Sequence, residues 1–199
     1  MLADVLTYWL GDAPTSAAES KRRSKLWYGS TQKADTEIQE KFGALLKQAE
    51  DGELDSKLNT LKNRIAMVIL LDQLSRNIYR GKPTAFQNDA RCLEIAKQTV
   101  EEKLHLQLSY IERVFLYHPY EHSESRQDQQ NGVALFEQLL AEVPSAWRVQ
   151  IQSFTNHAYA HFDIIKTYGR FPHRNVTLGR TSTPAETEFL NKDGRRFGQ

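Results

Sequence analysis

Apolar residues recur three and four positions apart almost everywhere in this chain, the spacing that puts them on one face of an α-helix. No stretch alternates apolar and polar residues between hairpin turns as a half-buried strand would. The pattern predicts an all-α fold. An opening helix over 3–10 stops at Gly11, with Pro14 just beyond. The stretch 15–28, with its run Lys21, Arg22, Arg23, Ser24, Lys25, reads either as loop or as solvated helix. Over 31–49, Ile38, Phe42, Leu45, Leu46 and Ala49 draw one stripe that ends before Gly52. The next helix, over 56–80, carries Leu58, Leu61, Ile65, Val68 and Ile69 on one side and Met67, Leu70, Leu74 and Ile78 on the other, which predicts a central position.

Capping boxes, Ser or Thr followed three residues later by Glu or Gln, predict helix starts at Thr84, Ser109 and Thr183. Pro119 is expected to end the helix opened at Ser109, because its ring cannot follow a helical residue comfortably. A helix over 123–142 follows, then one from Trp147 through Ile151, Phe154, Ala158, His161 and Ile165 to a Gly169 cap. A last short helix runs to about residue 191, leaving 192–199 as a polar, frayed tail. Links of a few residues favour antiparallel neighbours. The expectation is one domain over 1–199, built of stacked antiparallel helical hairpins with seven to eight helices.

Composition narrows the function classes. With 40% hydrophobic and 26% charged residues among 199, the chain fits neither a disordered polymer nor a membrane protein. Its longest apolar run, Ile65 to Leu71, is far short of a membrane span. Lys and Arg number 26 against 25 Asp and Glu, which removes any whole-molecule argument for nucleic acid or an anionic membrane. The lone Cys92 and a start without a basic, apolar leader point to a reducing, cytoplasmic setting.

Polar chemistry collects in three places. On the central helix Asp72 and Arg76 continue the inward stripe, spaced for pairing, with Gln73, Asn77 and Arg80 beside them. The segment Tyr117 to Glu124 sets His118, Glu121, His122 and Glu124 about a helix break, followed by Asp128 and Gln129. The stretch from Lys166 to Thr183 carries four fixed cations, Lys166, Arg170, Arg174 and Arg180, with His173 and Asn175 and no acid. It suits phosphate or carboxylate through forked hydrogen bonds, or equally a structural network with Asp72, Glu124 and Asp128. His157 and His161 have metal-ligand spacing, but His161 also continues the apolar stripe and no Glu sits between them, so neither a metal nor a cofactor is expected.

Three blocks together carry a family likeness: Leu70-Leu71-Asp72-Gln73-x-x-Arg76-Asn77, Pro119-x-x-His122-Ser123-Glu124-x-x-x-Asp128-Gln129, and the run from Tyr168 to Glu186 that contains Gly169-Arg170-Phe171-Pro172-His173-Arg174-Asn175 and Leu178-Gly179-Arg180. In order and spacing the chain resembles the bacterial family called domain of unknown function 924. The resemblance implies an all-helical fold similar to tetratricopeptide-repeat domains, with no established reaction. The family pattern usually has Phe-Pro where this chain has Leu74 and Ser75, and Leu-Pro-Leu where it has His118, Pro119 and Tyr120.

From the clustering, Asp72, Gln73, Arg76, Asn77, His122, Glu124, Asp128, His161, Arg170, His173, Arg174, Asn175 and Arg180 are expected to converge on a pocket for an anionic small molecule or peptide carboxylate. Two rival readings use the same residues. One is a hydrolase with His122 or His161 as general base and Asp72 or Asp128 behind it. The other is a scaffold whose polar network is structural and whose partner is another protein.

Overall fold

Side-chain caps and buried stripes locate the helices. The structure, a computed structural model, describes residues 1–29 and 31–192. The described residues form nine α-helices and no strand. These are α1 (Leu2–Trp9), α2 (Ala17–Tyr28), α3 (Gln32–Glu50), α4 (61–78), α5 (Asp89–Glu101), α6 (Tyr110–His122), α7 (Arg126–Glu142), α8 (Ser145–Tyr168) and α9 (Pro184–Lys192). The α4 rod is continuous through a π-helical turn at Ile69–Leu74.

The count exceeds the expected seven to eight because the ambiguous stretch 15–28 is helical. Ser16 accepts a hydrogen bond from the Glu19 amide at 3.2 Å to start α2. The charged run then has a tertiary task. Arg23 donates to the Thr7 and Trp9 carbonyls at 3.1 and 3.2 Å, and the Trp27 indole donates to the Trp9 carbonyl at 2.8 Å. The bonds from Arg23 and Trp27 to Trp9 satisfy a carbonyl at the end of α1 that its own helix leaves open.

Pro119 does not end α6, contrary to expectation. Every residue from Ile111 to Glu121 is buried, so packing on all sides outweighs the roughly 3 kcal/mol that an interior proline costs. The capping box at Thr84 also fails to open a helix. Residues Pro83–Phe86 form a single 3-10 turn and α5 begins at Asp89, because the Gln87 side chain donates 2.8 Å to Glu50 on α3 instead of reaching back. The boxes at Ser109 and Thr183 form as expected, and Gly169 caps α8 at φ 72°. The tail expected to fray lies, beyond Lys192, outside the described residues.

Among the described residues α7 packs against both α6 and α8, α4 against α1, α3, α5 and α6, and α2 against α8. One apolar core runs through them from Leu2 to Ala158 and leaves the polar side chains of α4 and α6 at its edge, beside the 170–183 loop. No described helix is long and apolar enough to cross a membrane.

Gly132 sets the spacing of α6 and α7: a Cβ there would sit 2.8 Å from Tyr120 Cβ. Gly132→Ala should therefore destabilise the fold by about 1–3 kcal/mol despite alanine's better helix propensity, read as a lower urea midpoint. A raised midpoint would show that the two helices have room to spare.

Candidate functional site

The π turn at Ile69–Leu74 sits where polar residues enter the core. Ser75, at the position of the family's usual proline, donates its hydroxyl 2.5 Å to the Leu71 carbonyl. Asp72, inside the turn, is 1% exposed. Its Oδ1 accepts from His122 Nδ1 on α6 at 2.6 Å and lies 3.0 Å from Arg76 Nη1, while Gln73 donates to Oδ2. Burial pushes the Asp72 carboxyl up, but Arg76 and His122 outweigh it and hold the group well below the usual carboxylate range.

From Arg76 the ion pairs run outward. Its Nη2 forks onto Asp89 at 2.9 and 3.1 Å, and Asp89 also accepts from Arg174 Nη1 at 3.2 Å. The chain Asp72, Arg76, Asp89, Arg174 thus joins α4, α5 and the turn Pro172–Arg174. The Arg174 guanidinium lies between the rings of Phe86 and Phe171, 4.6 and 4.5 Å from their centroids. Its Nε has no acceptor among the described residues. Burial lowers its pKa to about 10, Asp89 opposing that shift and Arg76 adding to it.

These groups border a cleft of about 470 Å³ lined by Phe86, Asp89, Leu93, His122, Glu124 and Arg174 among others. Since His122 Nδ1 is engaged by Asp72, Nε2 is the ring nitrogen left for a molecule in the cleft. Burial lowers the His122 pKa below its ordinary value, and the Asp72 carboxylate only partly restores it.

Behind His122 stands a group that the expected break at Pro119 had hidden. With α6 unbroken, His118, Glu121 and His122 fall at i, i+3 and i+4 on one face. The His118 and His122 rings stack with centroids 6.0 Å apart, and His161 on α8 lies edge-on to His122 at 6.1 Å. His161 Nδ1 donates 2.8 Å to the His157 carbonyl and lies 3.8 Å from Glu121 Oε2. Glu121 is 3% exposed and its Oε1 has no partner among the described residues. Burial and Asp72 push its carboxyl well above the ordinary value, while burial drives His118 to about 3 and His161 well below its usual range.

The remaining sequence candidates separate by position. His173 lies beside Phe171, ring centroids 5.4 Å apart, where burial lowers it to about 3. Glu124 reaches the cleft but is clamped by the Arg180 fork at 2.7 and 3.0 Å and by the Phe171 amide at 2.8 Å. Arg170 and Asn175 both bind Glu186, and Arg180 Nε donates to Asn175. Arg170 and Asn175 stitch the loop to α9, and Arg180 stitches it to Glu124 after α6. Asn77 and Arg80 turn the other way, onto Asp35 of α3. Asp128 faces a separate hollow, with Lys97 at 2.5 Å. No three His, Cys, Asp or Glu side chains among the described residues are grouped to hold a metal ion.

Sequence reasoning missed Asp89 and Phe86. Asp89 is an ordinary first-turn acid of a helix and Phe86 reads as one more apolar position; neither carries a signal until α5 is seen packed against α4.

Glu121 makes a signed prediction. Its folded pKa is raised above the unfolded value of about 4.3, so its contribution to stability is full below that pH and is lost as pH rises toward the folded pKa. Glu121→Gln should match the wild type in melting temperature near pH 4 and exceed it increasingly toward neutrality. A constant difference between pH 4 and 8 would contradict the buried, protonated acid.

A solved structure described as that of the protein of unknown function ATU0120 from Agrobacterium tumefaciens matches with TM-score 0.79 and 28% identity, covering 96% of this chain and 97% of that one. No curated protein matches. The model of the family described as bacterial protein of unknown function (DUF924) matches residues 5–194. The chain belongs to that family.

Proposed function

We propose that the cleft binds a small anionic molecule and that His122 acts on it as a general base, in a hydrolytic role. The observation that carries this reading is the bond from His122 Nδ1 to the fully buried Asp72, which leaves Nε2 unengaged on a side chain that lines the cleft. A neutral imidazole takes the proton from water as the water oxygen attacks the substrate's phosphorus or carbonyl carbon. The Asp72 carboxylate stabilises the imidazolium that forms, and the proton returns to the leaving oxygen. Arg174, with Arg76 behind it, supplies positive charge where the transition state gains negative charge. The reading needs no cofactor. It places the activity in the cytoplasm, on a stack of hairpins of tetratricopeptide-repeat type.

The arginines also limit the reading. Arg170 and Arg180 are occupied by Glu186 and Glu124, so among the described residues the cation at the cleft wall is Arg174, which shares Asp89 with Arg76 behind it. That occupation favours a second, structural role for the loop, which would then present a rigid surface to a protein or peptide partner. The balanced charge of the whole chain supports neither nucleic acid nor membrane as partner.

A panel of phosphomonoesters and carboxylic esters, followed by turnover and by melting temperature, tests the proposal. His122→Ala and Asp72→Asn should each lower kcat/KM by roughly 10²–10⁴. Arg174→Glu should abolish the thermal shift given by an anionic ligand. Because the His122 pKa is depressed, the rate should stay level across neutrality and fall only below the ordinary histidine value of about 6.5. Turnover that survives His122→Ala, or a panel with neither turnover nor thermal shift, would overturn the proposal.

A further inference from the structure

We infer that the anion held in the cleft beside His122 is the singly charged carboxylate of an aliphatic acid, and that the substrate is an uncharged ester of that acid. The inference rests on the hydrolytic reading above and narrows it. Of the two reacting centres that reading allows, phosphorus and carbonyl carbon, the lining of the cleft selects the second.

Two atoms on that lining have no partner. Arg174 is 6% exposed, with the Phe86 and Phe171 rings over its guanidinium and Asp89 on Nη1. Its Nε is sealed from solvent, whereas Nη2 keeps accessible surface and has no acceptor among the described residues. With the rings and Asp89 covering the rest, Nη2 is the edge that Arg174 presents to the cleft it lines. His122 Nε2 is unengaged on the same lining. The other polar side chains there are committed: Asp89 and Glu124 to arginines, Ser123 to Asp128 and Gln87 to Glu50. A charged donor and an unengaged imidazole nitrogen are what an ester carbonyl and an attacking water require.

Charge decides between the two centres. The lining carries two acids, Asp89 and Glu124, against one cation, Arg174, and all three are already ion-paired. A phosphomonoester brings about two negative charges near neutrality and would meet both acids with no spare cation. The N-terminal end of α5 offers no further relief, because Asp89 already stands in its first turn. An ester brings no charge, and the oxyanion formed at its carbonyl, like the carboxylate released, brings one, toward which Nη2 donates. The walls select the body: Pro83, Phe86, Ala90, Leu93 and Leu178 make most of the remaining surface of this cleft of about 470 Å³. In the step itself the water oxygen bonds to the carbonyl carbon and the acyl–oxygen bond breaks. The proton taken by His122 Nε2 passes to the departing alkoxide, and the acid so formed loses its own proton to solvent.

Calorimetry near pH 8 with acetate, hexanoate and hexyl phosphate reads the anion, and acid release from ethyl hexanoate reads the reaction. Hexanoate should bind roughly tenfold or more tightly than acetate, because its added methylenes leave water, and by a similar factor more tightly than hexyl phosphate. Leu178 packs into neither apolar core, so Leu178→Asp tests the wall without emptying one, and it should cut the advantage of hexanoate over acetate at least roughly threefold. Hexyl phosphate bound as tightly as hexanoate, or hexanoate no tighter than acetate, would overturn the inference. So would turnover of hexyl phosphate that depends on His122 while ethyl hexanoate stays intact, an outcome that upholds the hydrolytic reading. Hexanoate bound as expected with neither ester nor phosphate turned over would instead overturn the hydrolytic reading and uphold the class of the anion.

Discussion

A carboxylate with 1% of its surface exposed stays ionised inside a protein only when charge and hydrogen bonds replace the water it has lost. Asp72 meets that requirement with two partners, the Arg76 guanidinium one turn later and the His122 imidazole from another helix. Removing one member of such a buried pair typically costs about 3–5 kcal/mol, against a total stability of about 5–15 kcal/mol for an ordinary domain. The orientation of the cleft follows from this requirement. Arg76 is drawn inward and extends to Asp89, Asp89 holds Arg174, and Arg174 is fixed between two aromatic faces at the cleft wall.

The same accounting of charge explains why a loop with many cations does not make a strongly basic surface. Arg170 is spent on Glu186 and Arg180 on Glu124, so those side chains close the loop onto α9 and onto the segment after α6. What remains at the cleft is a histidine of lowered pKa, two coupled arginines and an acid between them, a setting suited to moving a proton beside a developing charge more than to holding a highly charged anion. Burial extends that setting into the interior by disfavouring charge on Glu121, His118 and His161: it raises the carboxyl and lowers both imidazoles.

Much of this was legible in the chain. The helical period, the capping boxes at Ser109 and Thr183 and the Gly169 cap act within a few residues, so local chemistry decides them and the sequence displays them. The pairing of Asp72 with Arg76 was visible for the same reason. Its coupling to His122 was open among several carboxylate and imidazole combinations, because the choice depends on which helix packs against which. Pro119 misled for a physical reason: its local penalty is real, but burial around α6 exceeds it, and the continued helix is what brings His118 and Glu121 beside His122. Asn77 shares a helix with Asp72 yet faces Asp35, since the π turn and the packing of α3 settle its direction. Asp89 acquires its role solely from the contact between α4 and α5.

The central claim is that Asp72 fixes His122 as a neutral base with Nε2 toward the cleft. Imidazole ¹⁵N NMR of the His122 ring in the wild type and in Asp72→Asn tests it most directly. At pH 7 the wild type should give a neutral ring protonated on Nδ1, and Asp72→Asn should lose that tautomer's preference and lower the pKa further. A His122 ring that is cationic at pH 7, or protonated on Nε2, or that titrates identically with and without the Asp72 carboxylate, would contradict the account.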